Sequence, residues 1–66
     1  MHISVNNKPY ELPAELSLAE LLAHMEIPAK GTAIARNQQV VPQSQWPQSQ
    51  LCEGDAIMII RATAGG

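Results

Sequence analysis

The sequence has no phenylalanine, and Tyr10 and Trp46 are its only large aromatic residues. Leucine, isoleucine, valine, methionine and alanine must therefore fill its interior. Cys52 is the only cysteine, which excludes an internal disulfide and points to a cytoplasmic chain. No apolar stretch approaches the ~20 residues of a membrane-spanning helix. The N-terminus also lacks the basic-then-apolar order of a secretory signal. Basic charge is scarce: Lys8, Lys30, Arg36 and Arg61 are scattered and the net charge is -2. The basic stripe that nucleic-acid binding requires is missing.

The residue patterns of catalysis are missing too. His2 and His24 stand without other nitrogen or sulfur donors at metal-ligand spacing, so both read as solvated side chains and no metal site is expected. Glu11, Glu15, Glu20 and Glu26 are spread over separate segments, with no pairing for acid–base work. There is no Ser-His-Asp set, no phosphate loop and no nucleophile with an evident base. Cys52, beside Leu51 and ahead of a turn, reads as small core filler.

What remains is a single domain. At 66 residues a chain buries only about 60% of its unfolded surface, so strong local signals must support a small core. His2-Ile3-Ser4-Val5-Asn6 alternates as a half-buried strand does, and Asn6-Asn7-Lys8 supplies turn chemistry. Tyr10-Glu11-Leu12 then completes an N-terminal hairpin before Pro13. Ser17-Leu18-Ala19-Glu20 is a capping box, flanked by Leu16 and Leu21 at staple spacing. Leu18, Leu21, Leu22 and Met25 form one apolar stripe, and Pro28 stops the helix, with Gly31 in the following turn.

Thr32 to Arg36 reads as a third strand, with Asn37-Gln38-Gln39 turning into Val40-Val41. Residues 43–50 read as a loop with a short helical turn anchored by Trp46. Glu53-Gly54-Asp55 is a turn, and Ala56 to Ala62, apolar on both faces, is a strand for the middle of a sheet. The expected fold class is α+β: one helix on one face of a small mixed sheet, its stripe against Ile3, Val5, Leu12, Ile57 and Ile59. The last strand lies parallel to the first and throws residues 63–66 past the sheet. That order is a β-grasp, or ubiquitin-like, arrangement.

The sequence ends in Gly65-Gly66. Without a Cβ on either residue, such a terminus can lie flat in a narrow channel and adopt backbone angles closed to other residues. A carboxylate delivered there can be activated by ATP and attacked without steric hindrance. Strand alternation also places Met58, Ile60 and Ala62 on the face away from the helix. An uncovered apolar patch beside a reactive tail suggests a partner-binding surface, with Ile34 and Arg36 on the neighbouring strand sharing it.

Val41-Pro42 followed by Trp46, then Gly54-Asp55, the Ile57-x-Ile59 strand and the terminal Ala64-Gly65-Gly66 resemble the ThiS family from end to end. These are the sulfur carriers of thiamine biosynthesis. The resemblance implies a monomeric carrier, not an enzyme, with no bound cofactor. It further implies that an E1-like adenylyltransferase of ThiF type uses ATP to adenylylate Gly66. By the same resemblance a cysteine desulfurase system would then supply sulfur for a thiocarboxylate, and Thr63, Ala64 and Gly65 would lead that group into thiazole synthase (ThiG type). Arg61 departs from the uncharged residue often found there. Two other readings stay open: the related carrier that serves molybdopterin synthase, and a non-covalent β-grasp module whose glycines are accidental.

Overall fold

A computed structural model describes residues 1–61. Five strands, β1 (His2–Val5), β2 (Lys8–Glu11), β3 (Thr32–Arg36), β4 (Gln39–Val41) and β5 (Ala56–Arg61), form one sheet in the order β2-β1-β5-β3-β4. The helix α1 (Leu18–His24) lies between β2 and β3 in sequence, and a 3-10 helix (Gln43–Gln48) between β4 and β5. β5 runs parallel to β1 and antiparallel to β3, so the last strand of the sequence is the middle strand of the sheet. This is the expected β-grasp.

Both hairpins are set by two-residue turns in the left-handed region. Asn6 and Asn7 have φ of 52° and 66°, and Asn37 and Gln38 have 50° and 73°. Such turns twist as the flanking strands do, and asparagine tolerates them best. Their tightness starts each strand earlier than the sequence suggests: β2 begins at Lys8 and β4 at Gln39. Asn6 also joins β1 to β5. Its amide donates to the Ile57 carbonyl at 2.8 Å, and its Oδ1 accepts the Ile59 amide at 2.8 Å.

At the start of α1 the Glu20 amide donates to Ser17 Oγ at 3.1 Å, and the Ser17 amide to Glu20 Oε1 at 2.8 Å. Leu18, Leu21 and Leu22 are buried against Ile3, Val5, Leu12, Ile57 and Ile59, and Met25 packs at the margin of this cluster. Full burial of one such side chain contributes about 1.5–3 kcal/mol. The helix stops before Pro28. Glu26 turns left-handed at φ 59°, its amide bonds the Ala23 carbonyl, and the Ile27 amide bonds the Leu22 carbonyl. That pair of bonds is a Schellman motif, so it is the C-terminal cap that ends the helix.

Trp46 is buried in the 3-10 helix, and its indole N–H donates to the Val41 carbonyl at 2.8 Å. The loop after it is stitched to the helix entrance by Leu18 N–H to Ser49 O (2.9 Å) and Leu51 N–H to Leu16 O (2.8 Å). Cys52 is exposed, not core filler. Leu51 takes the core position, and the Cys52 amide instead donates to Asp55 Oδ2 at 2.8 Å across the turn.

The left-handed cap gives a direct test. A glutamate there carries a steric penalty of about 1–2 kcal/mol that glycine does not, offset in part by the greater freedom of unfolded glycine. Glu26→Gly should therefore raise the urea-unfolding free energy by about 0.5 kcal/mol. A fall in stability would contradict the capping geometry.

Candidate functional site

Alternation along β5 decides which side chains are available. Ile57 and Ile59 point to the helix and are buried, whereas Met58 and Ile60 point away and are 38% and 56% exposed. Directly paired residues of antiparallel strands share a face. Ala35 pairs with Met58 and Ala33 with Ile60, so these two alanines belong to the outer face. Ala35 also pairs with Val40, which is 73% exposed. Met58, Ala35 and Val40 thus form one row across three strands, with Ile60 and Ala33 in the next. A shallow depression of about 270 Å³ lies beside this row, lined by Ser4, Asn7, Ala35, Gln38 and Met58 among others.

The two β3 residues expected on this surface are elsewhere. Ile34 pairs with Ile59, faces the helix and is fully buried at 0% exposure. Arg36 pairs with Ile57 and so also lies on the helix-side face, at its margin. Its Nε meets Asp55 Oδ2 at 3.0 Å, and its Nη2 lies 3.4 Å from Cys52 Sγ. The physical reason is register, which places even-numbered β3 residues inside. The Ala33-Ile34-Ala35 pattern carries that signal, since the one large apolar side chain among three goes to the core. Val40, which the sequence reading used only as a strand former, takes the place that Ile34 was expected to fill.

The polar groups organise the turn before β5. Asp55 is buried, and its carboxylate receives Arg36, the Cys52 amide and Asn37 Nδ2 (3.2 Å to Oδ1). Asn37 Oδ1 accepts the Ala56 amide at 3.0 Å, so this network pins the first residue of β5 to the β3–β4 turn. Gly54 makes the approach possible with φ of 85°, a conformation a Cβ would strain. At the sheet's other side Glu53 accepts the His2 amide at 3.0 Å, and the His2 ring lies 3.4 Å from it and 3.8 Å from Glu11. The bond from the His2 amide, helped by the nearby His2 and N-terminal charges, holds the Glu53 carboxyl below its usual range. A carboxyl so lowered favours the folded state above its ordinary pKa, and the benefit is lost as pH falls through the lowered value.

Among the described residues no group of three or more His, Cys, Asp or Glu side chains is placed to hold a metal ion, and no helix is long and apolar enough to cross a membrane. The surface offered is a flat apolar sheet face on the strand that leads to the last residues of the sequence. Ala62, Thr63, Ala64, Gly65 and Gly66 lie outside the described residues.

Comparison with known proteins gives a consistent result. The profile of the ThiS family matches residues 3–66. The sulfur carrier protein ThiS of Escherichia coli K12 is 36% identical over 66 residues, covering all of both chains. The crystal structure of the thiamine biosynthesis protein ThiS from Geobacter metallireducens superposes with a TM-score of 0.88 at 25% identity, covering all of both chains. A thiazole synthase of Paramagnetospirillum magneticum is 26% identical over 66 residues, the whole of this chain but 20% of that protein.

Truncation on the two faces tests the assignment of sides. Ile34→Ala should lower the unfolding free energy by about 2–5 kcal/mol, because it empties a closed site. Ile60→Ala should change it by about 0.5 kcal/mol or less. Equal losses in urea titrations would contradict the alternation described here.

Proposed function

The chain belongs to the ThiS family, and on that premise we propose that it carries sulfur to thiazole synthase in thiamine biosynthesis, on the carboxylate of Gly66. The observation that supports this most strongly is the match from residue 3 to residue 66, which runs through the terminal Gly65-Gly66 pair. In this reading the protein is a co-substrate of enzymes and not itself a catalyst.

The chemistry follows from the terminus. An E1-like enzyme brings the Gly66 carboxylate against the α-phosphate of ATP, releasing pyrophosphate and leaving an acyl-adenylate. Persulfide sulfur from a cysteine desulfurase system displaces AMP, and a thiol, itself oxidised to a disulfide, reduces the resulting acyl disulfide to a thiocarboxylate. Glycine suits both displacements, since no Cβ crowds the carbonyl carbon. A thiocarboxylate is ionised at neutral pH and strongly nucleophilic, so a protein body that partner enzymes recognise controls where it reacts. ATP belongs to the activating enzyme, and the carrier holds no cofactor of its own. The lone Cys52 fits a reducing cytoplasmic setting.

In this reading Thr63, Ala64 and Gly65 thread the terminus into each enzyme while the body docks through Met58, Ile60 and Ala62. Val40 replaces Ile34 in that set, and Arg36 is left to its structural pair with Asp55. Tails ending in Gly-Gly are shared with the molybdopterin-type carriers, so the choice of acceptor has to come from contacts made by the body.

Growth tests this reading. A host deprived of the gene should require thiamine or its thiazole precursor while its molybdenum enzymes stay active. A wild-type copy should restore growth, and a copy lacking Gly66 should not, at equal protein level. Met58→Glu should fold normally, with a stability change within about 0.5 kcal/mol. It should nevertheless restore growth poorly. A knockout that grows without thiamine but loses its molybdenum enzymes would replace thiazole synthase by the molybdopterin acceptor.

A further inference from the structure

The two edges of the sheet differ. β2 carries Lys8, Pro9 and Glu11, the charges and proline that keep a strand edge from pairing with another chain. β4 is Gln39-Val40-Val41, with neither charge nor proline inside it, and Val40 is the most exposed large apolar side chain among the described residues. The direction of its backbone groups follows from the hairpin. A two-residue turn makes Arg36 and Gln39 a pair that exchanges both hydrogen bonds, and the pattern repeats at Ile34 and Val41. The Asn37 amide bonds the Ala56 carbonyl at 2.8 Å, consistent with odd-numbered residues here turning toward β5. Val40, between two bonded pairs, therefore points its N–H and C=O away from β3.

Beside this edge lies a cleft of about 440 Å³, walled by Gln39, Val40 and Pro42 on one side and, on the other, by Gln45 of the 3-10 helix and Ser49 just after it. Among the described residues Arg36 is the only ionic one lining it, and its charge is already met by Asp55. An uncharged chain fits such a cleft better than a charged one. The turn at Asn37-Gln38 and the ring of Pro42 limit the contact to about three residues.

We propose that an extended, uncharged segment of the thiazole synthase acceptor adds to β4 as a sixth strand, hydrogen-bonding the N–H and C=O of Val40 and laying an apolar side chain against it. The inference rests on the carrier reading and deepens it by adding a docking element. Two observations favour this occupant. Val40, Ala35 and Met58 form one continuous row, so a partner that covers Met58 reaches the β4 edge without leaving the surface. In the Paramagnetospirillum thiazole synthase a segment similar to this whole chain is part of the same polypeptide. Main-chain pairing supplies affinity and register in such strand addition, and a pocket beside the edge supplies selectivity.

The test uses the intact chain and thiazole synthase. In the free protein the Val40 amide should exchange rapidly with solvent, and in the complex its exchange should slow by about tenfold or more. Val40→Pro removes an N–H that bonds nothing within the sheet. It should melt like wild type and bind the synthase roughly tenfold more weakly. Val40→Ile keeps the amide and should bind like wild type. If Val40→Pro misfolds, amide exchange in the wild-type complex decides. A complex in which Met58 and Ile60 signals shift while the Val40 amide exchanges as fast as in the free chain overturns the strand-addition proposal alone. Absence of any complex overturns it together with the choice of acceptor.

Discussion

One short helix has to bury the apolar side of a five-stranded sheet, and the rest of the molecule is arranged around that constraint. Leu18, Leu21 and Leu22 reach Ile57 and Ile59 only because β5 occupies the middle of the sheet, paired on both sides. The same placement leaves Met58 and Ile60 on a face for which the described residues supply no second helix. An exposed apolar row is thus a consequence of the architecture as well as a surface available to partners. β5, which carries that row, is the last strand among the described residues.

Besides the backbone ladders to β1 and β3, three short polar side chains help hold β5 in the middle. Asp55 gathers Arg36, Asn37 and the Cys52 amide at the strand's entrance, Asn37 bonds the first strand amide, and Asn6 bonds the amide of Ile59. A buried carboxylate is tolerable only with such partners, and removal of one leaves the other uncompensated. The arrangement explains why the turn reads Gly54-Asp55. Glycine takes the left-handed angle, and aspartate anchors the network that this angle brings within reach.

Much of this was legible in the sequence where a local rule had one answer. The capping box at Ser17–Glu20, the leucine stripe, the turn asparagines and the doubly apolar last strand each imply their structure without knowledge of the rest. What was not legible depended on long-range register. Whether Ile34 lies inside or outside depends on how β3 pairs with β5, and strand alternation alone gives two solutions one residue apart. Cys52 was misjudged for a related reason: a small apolar residue next to Leu51 looks like filler until the Asp55 carboxylate claims its amide and turns the chain outward. The helix end was misplaced because Pro28 is a conspicuous stop, whereas a left-handed glutamate leaves no mark in sequence. Of the candidate site, Met58 and Ile60 followed from alternation. Val40 did not, because its role appears only when three strands are set side by side.

The carrier account depends finally on one functional group, the carboxylate of Gly66. In that account the folded body selects partners, and the exposed Cys52 takes no part in the chemistry. The most direct measurement is the mass of the C-terminal peptide after incubation with the cognate activating enzyme, ATP and a sulfur source. The account predicts a gain equal to sulfur replacing one oxygen, located on Gly66 and lost when Gly66 is deleted. Sulfur found on Cys52 instead, with an unchanged C-terminal peptide, would contradict it.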